Sequence, residues 1–404
     1  MIKFFNKAIS PIRYFFNDSR AVGVLLIGTT IISLLFSNLF VGASYSSFFH
    51  QSFSLHTSFL LPETPINWIN DFLMAFFFLL AGMEIKRELL VGELSNFKKA
   101  ILPFGAALGG MFVPATIFIA CNISSSYLKG WGIPTATDIA FSLGVCSLFG
   151  KRVPVGLKIL LMALAIIDDL GAILVIAFFY GGAIQIKYLL ISAGLYTILW
   201  VSNLLKLKFG IIQITLSFFL WYTIFLSGVE AGITGVLIAL VIPKDFLSVI
   251  ERYIHAPVNF LILPLFALAN TATQVPSNIV ASFQSPISMG VILGLTLGKP
   301  LGIFMFCRIL VAFKIASLPR NINWSQIMGM GTLAGIGFTM SIFTTSIAYD
   351  NESFRNIAKI AILTSMIISV ILSGIYFSFL YTKNLKIVEY RKKHLSNIDY
   401  GVSY

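Results

Sequence analysis

The sequence predicts an all-α polytopic membrane protein with twelve transmembrane helices. Composition comes first: 57% of the 404 residues are hydrophobic and only 11% charged, with mean hydropathy +0.91, whereas soluble domains carry about 25% charged residues. The second observation is a succession of apolar runs at roughly 21–40, 66–83, 100–120, 134–149, 156–180, 188–205, 209–227, 229–243, 258–275, 287–307, 324–348 and 357–381, each near the ~20 residues that cross a bilayer. The third is charge placement. Of the 28 Lys and Arg, Lys129, Lys187, Arg355 and Lys359 fall on one side, Lys299 lies within a span, and the remaining 23 share the side of both termini. That skew marks the termini as cytoplasmic. The net charge of +12 is thus topological and implies no nucleic-acid partner.

The spans with short loops make residues 1–404 a single integral membrane domain, with a cytoplasmic segment at 1–20 and a basic cytoplasmic tail at 382–404. The basic, aromatic start has no small-residue cleavage site before the first span, so no cleavable signal is expected. Residues 43–65, between spans 1 and 2, contain no Lys or Arg. Phe53, Leu55, Thr57 and Phe59 alternate with smaller or more polar residues, and period two suggests a short outer strand or hairpin, against an irregular loop.

Spans 4 and 11 are weakened. In the fourth, Gly132-Ile133-Pro134-Thr135-Ala136-Thr137-Asp138 precedes a short apolar run. Thr and Asp are N-cap types, so a half-helix starts near Asp138 inside the membrane. The eleventh carries Gly329, Gly331, Gly335 and Gly337 within nine residues, each weakening a helix by about 1 kcal/mol relative to Ala; close helix packing is the other use of such glycines. Each segment is the middle of a three-helix group, spans 3–5 and 10–12, and the groups enter the membrane from opposite sides. This is the pattern of inverted-topology repeats with discontinuous helices 4 and 11.

Asp168-Asp169 stands in the middle of a hydrophobic run. Nine apolar residues precede the pair and Leu170 to Tyr180 carries no charge, which puts it about 15 Å from either end of its helix. One ionisable group at that depth costs on the order of 3 kcal/mol, and desolvation with mutual repulsion favours holding a proton there. Asp138 and Lys299 are the only other charges so deep. Pairing Lys299 with one aspartate leaves an excess of negative charge, which calls for a cation or proton. Two carboxylates and the Thr137 hydroxyl supply the oxygen ligands a small hard cation prefers. Protons and cation then compete for the same oxygens. Two protons replacing one monovalent cation make the exchange electrogenic.

Glu84, Lys86, Arg87 and Glu88 cluster at the cytoplasmic end of span 2, with Glu84 and Glu88 one turn apart. They form either an ordinary solvated helix end or a cation funnel and pH-responsive network. Glu251, Arg252 and His255, in the cytoplasmic loop before span 9, are placed to join them. Glu230 starts span 8 near the outer face and reads as interfacial or accessory, and Asp71 near the outer start of span 2 is equally open. Cys121, Cys146 and Cys307 have no metal-ligand spacing. No histidine lies in an expected span, so neither a cofactor nor a hydrolytic site is expected.

WGIPTATDIAFSLGV (131–145), LMALAIIDDLGAI (161–173), LGKPLGI (297–303), GIGFTMSIF (335–343) and WINDFLMAFFFLLAGMEIKREL (68–89) closely resemble the bacterial NhaA-type sodium/proton antiporters, from about Ser10 to Tyr381. That family is itself an inverted-repeat transporter, so the architecture is part of what the resemblance implies. The resemblance further implies an inner-membrane antiporter in which Asp168 and Asp169 bind sodium or lithium and carry the protons, with Thr137 beside them. Asp138 and Lys299 match residues that balance crossing helix ends, Lys299 pairing with Asp168 when sodium is absent. Glu84, Arg87, Glu88 and Glu251 match a cytoplasmic pH-response region, and Asp71 matches a further membrane acid. The 43–65 loop matches an outer hairpin that helps form a homodimer. Two positions depart from the family pattern: Glu230 and Arg252 stand where histidines are associated with the pH response.

A cation channel is the leading alternative of another class, since an acidic site on broken helices serves either. Clustering of the acids at one midplane point disfavours a continuous pore. A sodium-coupled organic-anion symporter needs a second deep cation beside Lys299, and an enzyme needs a nucleophile–base pair; the sequence offers neither.

Overall fold

The computed structural model describes residues 19–39, 42–53, 60–123, 125–205, 207, 209–276, 278–319 and 322–399. Most of the expected N-terminal segment and residues 400–404 lie outside them. The described chain is helical: α1 Ser19–Asn38, α2 Gly42–His50, α3 Pro65–Leu90, α4 Phe97–Asn122, α5 Ile139–Leu148, α6 Val155–Phe179, α7 Ile186–Leu204, α8 Ile211–Ser227, α9 Ile233–Val241, α10 Lys244–Asn270, α11 Ile279–Gln284, α12 Pro286–Ala312, α13 Trp324–Ala334, α14 Phe338–Ala348 and α15 Glu352–Asp399. Seven helices are long and apolar enough to cross a membrane (α1, α3, α4, α6, α10, α12 and α15), and α13 with α14 forms an eighth span bent by 48°. α5 and α8 are shorter apolar helices. The protein is a multi-pass membrane protein.

One buried apolar core runs through most of these helices. A smaller one joins α7, α8 and α9 through Leu199, Leu220, Ile224 and Val241. The outer sides of α7 and α8 carry exposed Leu190, Trp200, Ile212 and Phe218, as helices bordered by lipid require.

The first part of the 43–65 loop is helical, ahead of the residues on which the expected strand rests. Residues 42–50 form α2, and among the described residues there is no strand. Tyr45 and Phe49, one turn apart, meet edge-on at 5.3 Å, and the Tyr45 hydroxyl lies 3.1 Å from Ser33 Oγ of α1. Phe53 N donates to the Glu63 carbonyl at 2.8 Å, closing the loop on itself. Leu55, Thr57 and Phe59 lie outside the described residues.

One correction concerns Glu251, Arg252 and His255. They sit not in a loop but on Lys244–Pro257, the helical start of α10. The segment is strongly amphipathic, so it continues the span along the protein instead of leaving it. At the chain's other end, residues 383–399 prolong α15.

Three helices widen locally to π turns: Trp68–Leu73 in α3, Val258–Ile262 in α10 and Gly294–Gly298 in α12. Pro257 and Pro264 bracket the second and Pro300 follows the third. A proline lacks the N–H of the regular ladder, and a widened turn re-registers the bonds around it. The widened or flanking residues include Asp71, Asn259 and Lys299, consistent with the use of such turns at functional sites.

α4 and α12 touch backbone to backbone. A Cβ on Gly302 would lie 2.1 Å from the Gly109 carbonyl oxygen, and one on Gly109 would lie 2.2 Å from that of Gly302. No flexible side chain can yield there. Gly302→Val is expected to separate the helices at a cost of about 3 kcal/mol or more, visible as a lowered melting temperature of the purified protein; an unchanged melting curve rejects the contact.

Candidate functional site

The site forms where α5 and α14 begin. Residues 136–138 are extended before α5, and the break at 335–337 precedes α14. The breaks bind each other: Asp138 N donates to the Ile336 carbonyl at 2.7 Å, and Ser341 Oγ to the Ile133 carbonyl at 2.7 Å. A Cβ on Gly337 would meet the Ala136 carbonyl oxygen at 2.8 Å, so glycine permits the crossing. Unpaired backbone groups of one broken helix are thereby met by the other, as membrane depth requires.

Asp138 caps two helices at once. Its Oδ1 accepts from Phe141 N of its own helix at 2.9 Å. Its Oδ2 accepts from Thr339 N at 3.0 Å and Thr339 Oγ1 at 2.7 Å. One carboxylate thus faces the positive ends of α5 and α14 together. Thr339 is a partner the sequence reading did not single out; a hydroxyl two residues after the last glycine of the break was its signal.

Asp168 and Asp169 lie on α6 and are 0% and 4% exposed. Asp168 forms an ion pair with Lys299, itself 0% exposed. Lys299 Nζ also donates to Thr137 Oγ1, which stands 2.9 Å from the Ala334 carbonyl at the end of α13. Oδ1 of Asp168 and Oδ1 of Asp169 have no hydrogen-bond partner among the described residues. The structure therefore brings Thr137, Asp138, Asp168, Asp169 and Lys299 together, with oxygen valences unfilled. Buried carboxylate oxygens left this way are costly unless a proton or cation fills them.

Access is one-sided. A cavity of about 230 Å³ is lined by Glu84, Thr137, Asp138, Asp169, His255 and Asn259, among others. Asp169 faces it and Asp168, held by Lys299, does not. A separate cavity of about 410 Å³ contains Asp71 and Glu230. Both cavities draw on α3, α10 and α14, at successive positions along each: Phe77 then Asp71, Leu263 then Asn270, Met340 then Phe343. Between them pack Phe78, Phe266 and Phe343, all fully buried, with ring centroids 5.3 and 6.3 Å apart.

The remaining expected residues divide. Arg87 forms an ion pair with Glu251, linking α3 to α10, and Glu88 accepts from Glu93 N at 3.1 Å. Glu84 lines the cavity that reaches Asp169. Lys86 leaves the cluster and donates to the Leu240 carbonyl at 2.7 Å, capping α9. Arg252 is exposed and lines neither cavity. Asp71 and Glu230 share the second cavity, remote from Asp168–Asp169. His255, expected to join the Glu84 cluster, lines the first cavity with it, and sequence reasoning missed Asn259 there. Lys359, counted only among the basic residues on the side opposite the termini, is 7% exposed and lines the second cavity.

Comparison with known proteins fits this geometry. The family model described as Na+/H+ antiporter 1 matches residues 13–377. The Na+/H+ antiporter NhaA of Cytophaga hutchinsonii is 44% identical over 372 residues, 91% of this chain and 94% of its own. An NhaA antiporter of Flavobacterium johnsoniae is 43% identical over 384 residues, 94% of this chain and 99% of its own. That of Pelagibacter ubique is 41% identical over 391 residues, with coverage of 94% and 99%. The matched region encloses both broken helices and every charged group of the site, and the chain belongs to the NhaA family of membrane sodium/proton antiporters.

Proposed function

We propose that Asp168 and Asp169 are the exchange site and that sodium, or lithium, competes there with protons and with Lys299. The observation that carries this reading is the pairing of one lysine with two adjacent buried carboxylates, which leaves Asp169 facing the cavity with an unpartnered oxygen. A cation entering from the Glu84–His255 cavity meets Asp169 first. Binding both carboxylates requires Lys299 to leave Asp168, and the displaced charge departs as a proton or is compensated by one. Two protons against one cation make transport electrogenic. Asp138 holds the ends of α5 and α14 so that Thr137 presents its hydroxyl to the site.

Alternating access follows if only loaded states move the broken helices past the three phenylalanines. Counting α1, α3, α4, α5, α6, α7, α8, α9, α10, α12, the α13–α14 pair and α15 supplies twelve crossings. The groups α4–α6 and α12–α15, each with a broken middle, form inverted repeats. The positive-inside skew makes the Arg87–Glu251 face and both termini cytoplasmic, in a bacterial inner membrane. On that face Glu84, Arg87, Glu88, Glu251 and Arg252 modulate the response to pH, and the 43–65 segment contributes to a homodimer. The chain acts as one transporter domain and needs no cofactor.

Competition has a direct signature in everted vesicles with a pH-sensitive dye. The sodium concentration for half-maximal exchange is expected to rise by about tenfold per unit fall in pH for one competing proton, and up to about a hundredfold for two. A sodium requirement independent of pH sinks the shared site. Sodium flux indifferent to the proton gradient favours a channel instead.

A further inference from the structure

Asn259 is a polar side chain for which the fold itself has no use. It is 9% exposed, in a stretch of α10 that is otherwise apolar from Val258 to Ala269. Its carboxamide makes no hydrogen bond among the described residues. Both polar atoms of that amide remain accessible, whereas the partnerless amide oxygens of Asn122 and Asn270 are enclosed.

The accessible space is the cavity that reaches Asp169. His255, Asn259 and Leu263 follow one another about one turn apart on α10, and all three line that cavity. Their face is turned into the protein, since Leu263 is 2% exposed. The Asn259 amide is therefore aimed into the cavity, and the helix widens to a π turn at this point, over Val258–Ile262. A buried carboxamide without a protein partner is costly, so its partner comes from the cavity.

Glu84 of α3, Asp138 before α5, Asp169 of α6 and His255 are the titratable groups lining the same space. Asp138 is committed to Phe141 and Thr339 at the two helix ends. Glu84, Asp169 and Asn259 remain as oxygen acceptors for a cation arriving from this side. The cavity of about 230 Å³ holds several waters, each needing about 10–15 Å³. An entering sodium ion thus keeps part of its water shell, whose hydrogens point outward and require acceptors. The Asn259 oxygen is such an acceptor, and protons do not compete for it as they do for the carboxylates.

We propose that Asn259 is a cation-positioning residue, whose amide oxygen accepts a hydrogen bond from the water shell of sodium held at Asp169. The role rests on Asp168 and Asp169 being the exchange site. Thr137, Asp168, Asp169 and Lys299 all lie outside α10, so the contact exists only while this cavity is open. It strengthens loading from the cavity face and not from the opposite one.

Everted vesicles turn the cytoplasmic face, and with it this cavity, toward added sodium. There Asn259→Ala is expected to raise the sodium concentration for half-maximal exchange about tenfold, the worth of one water-mediated hydrogen bond to a charged centre, with the maximal rate retained. Its melting temperature is expected to match wild type, because the side chain holds no other residue in place. Asn259→Asp keeps an acceptor and is expected to need no more sodium than wild type. In right-side-out vesicles, where sodium meets the opposite face, Asn259→Ala is expected to keep the wild-type requirement. An unchanged requirement in everted vesicles, a rise shared equally by Asn259→Asp, or an equal rise on both faces overturns the role of Asn259. Exchange lost in Asp169→Asn alongside any of these confines the failure to Asn259, whereas wild-type exchange in Asp169→Asn overturns the exchange site on which the role depends.

Discussion

Asp169→Asn is expected to leave a well-folded protein that no longer exchanges sodium for protons, whereas Asp168→Asn is expected to lose both exchange and stability. The two aspartates are neighbours on α6 but hold different contracts with the fold. Asp169 faces the cavity and has no cationic partner within 4 Å among the described residues. Its replacement by a neutral isostere removes a cation ligand and a proton carrier without stranding any charge. Asp168 is the counter-ion of Lys299, and both are fully buried. Breaking such a pair by removing one partner costs about 3–5 kcal/mol, because the other charge remains desolvated. Asp168→Asn/Lys299→Met removes the whole pair and should recover the melting temperature without recovering exchange. Dye-monitored exchange in everted vesicles and thermal melting of the purified variants check the two halves separately. Wild-type exchange in Asp169→Asn would falsify the site, and equal melting of both single variants would show that Lys299 does not depend on Asp168.

Asp138→Ala carries the second large effect. The alanine removes the cap of α5 and both bonds to Thr339 at the start of α14. A lost N-cap costs about 1 kcal/mol, and the buried Thr339 N–H left without an acceptor adds about 1–3 kcal/mol. About 3 kcal/mol of lost stability is therefore expected, together with loss of exchange, because Thr137 beside it touches both Lys299 and the Ala334 carbonyl. Asp138→Asn retains an acceptor for one helix but drops the charge that faces two helix ends, and should fall between wild type and Asp138→Ala in melting temperature. Identical melting of all three proteins rejects the double cap.

The deepest charged residues were legible in the sequence because burial makes them improbable. A carboxylate pair flanked by apolar residues, a lone lysine in a later span and an aspartate at an N-cap position stand out by cost alone. The broken helices were legible for a related reason, since Pro134 and the glycines of 329–337 cannot support an ordinary span. Legibility failed near the ends of the spans. His255 sits on a helix that was read as loop, because its polar neighbours Glu251 and Arg252 look the same in either setting. Lys359 was counted only by its side of the membrane, because a lysine close to a span boundary carries no local sign of being folded inward. Asn259 and Asn270 were passed over, since one amide in an apolar stretch is weak by itself. The helix at 42–50 depends on packing against α1, which no local alternation reports.

By itself, the sequence determined that this chain must live in a membrane, break two helices, and neutralise two carboxylates far from water. Those conclusions follow from the cost of burying charge and unpaired backbone, which is set by residue type and depth. Only the tertiary structure decided which aspartate Lys299 takes, which one faces a cavity, and that Asp71 and Glu230 share a second one. Those outcomes depend on helices distant in the chain crossing within backbone contact, as α4 and α12 do at Gly109 and Gly302, and local patterns of hydrophobicity do not encode such crossings.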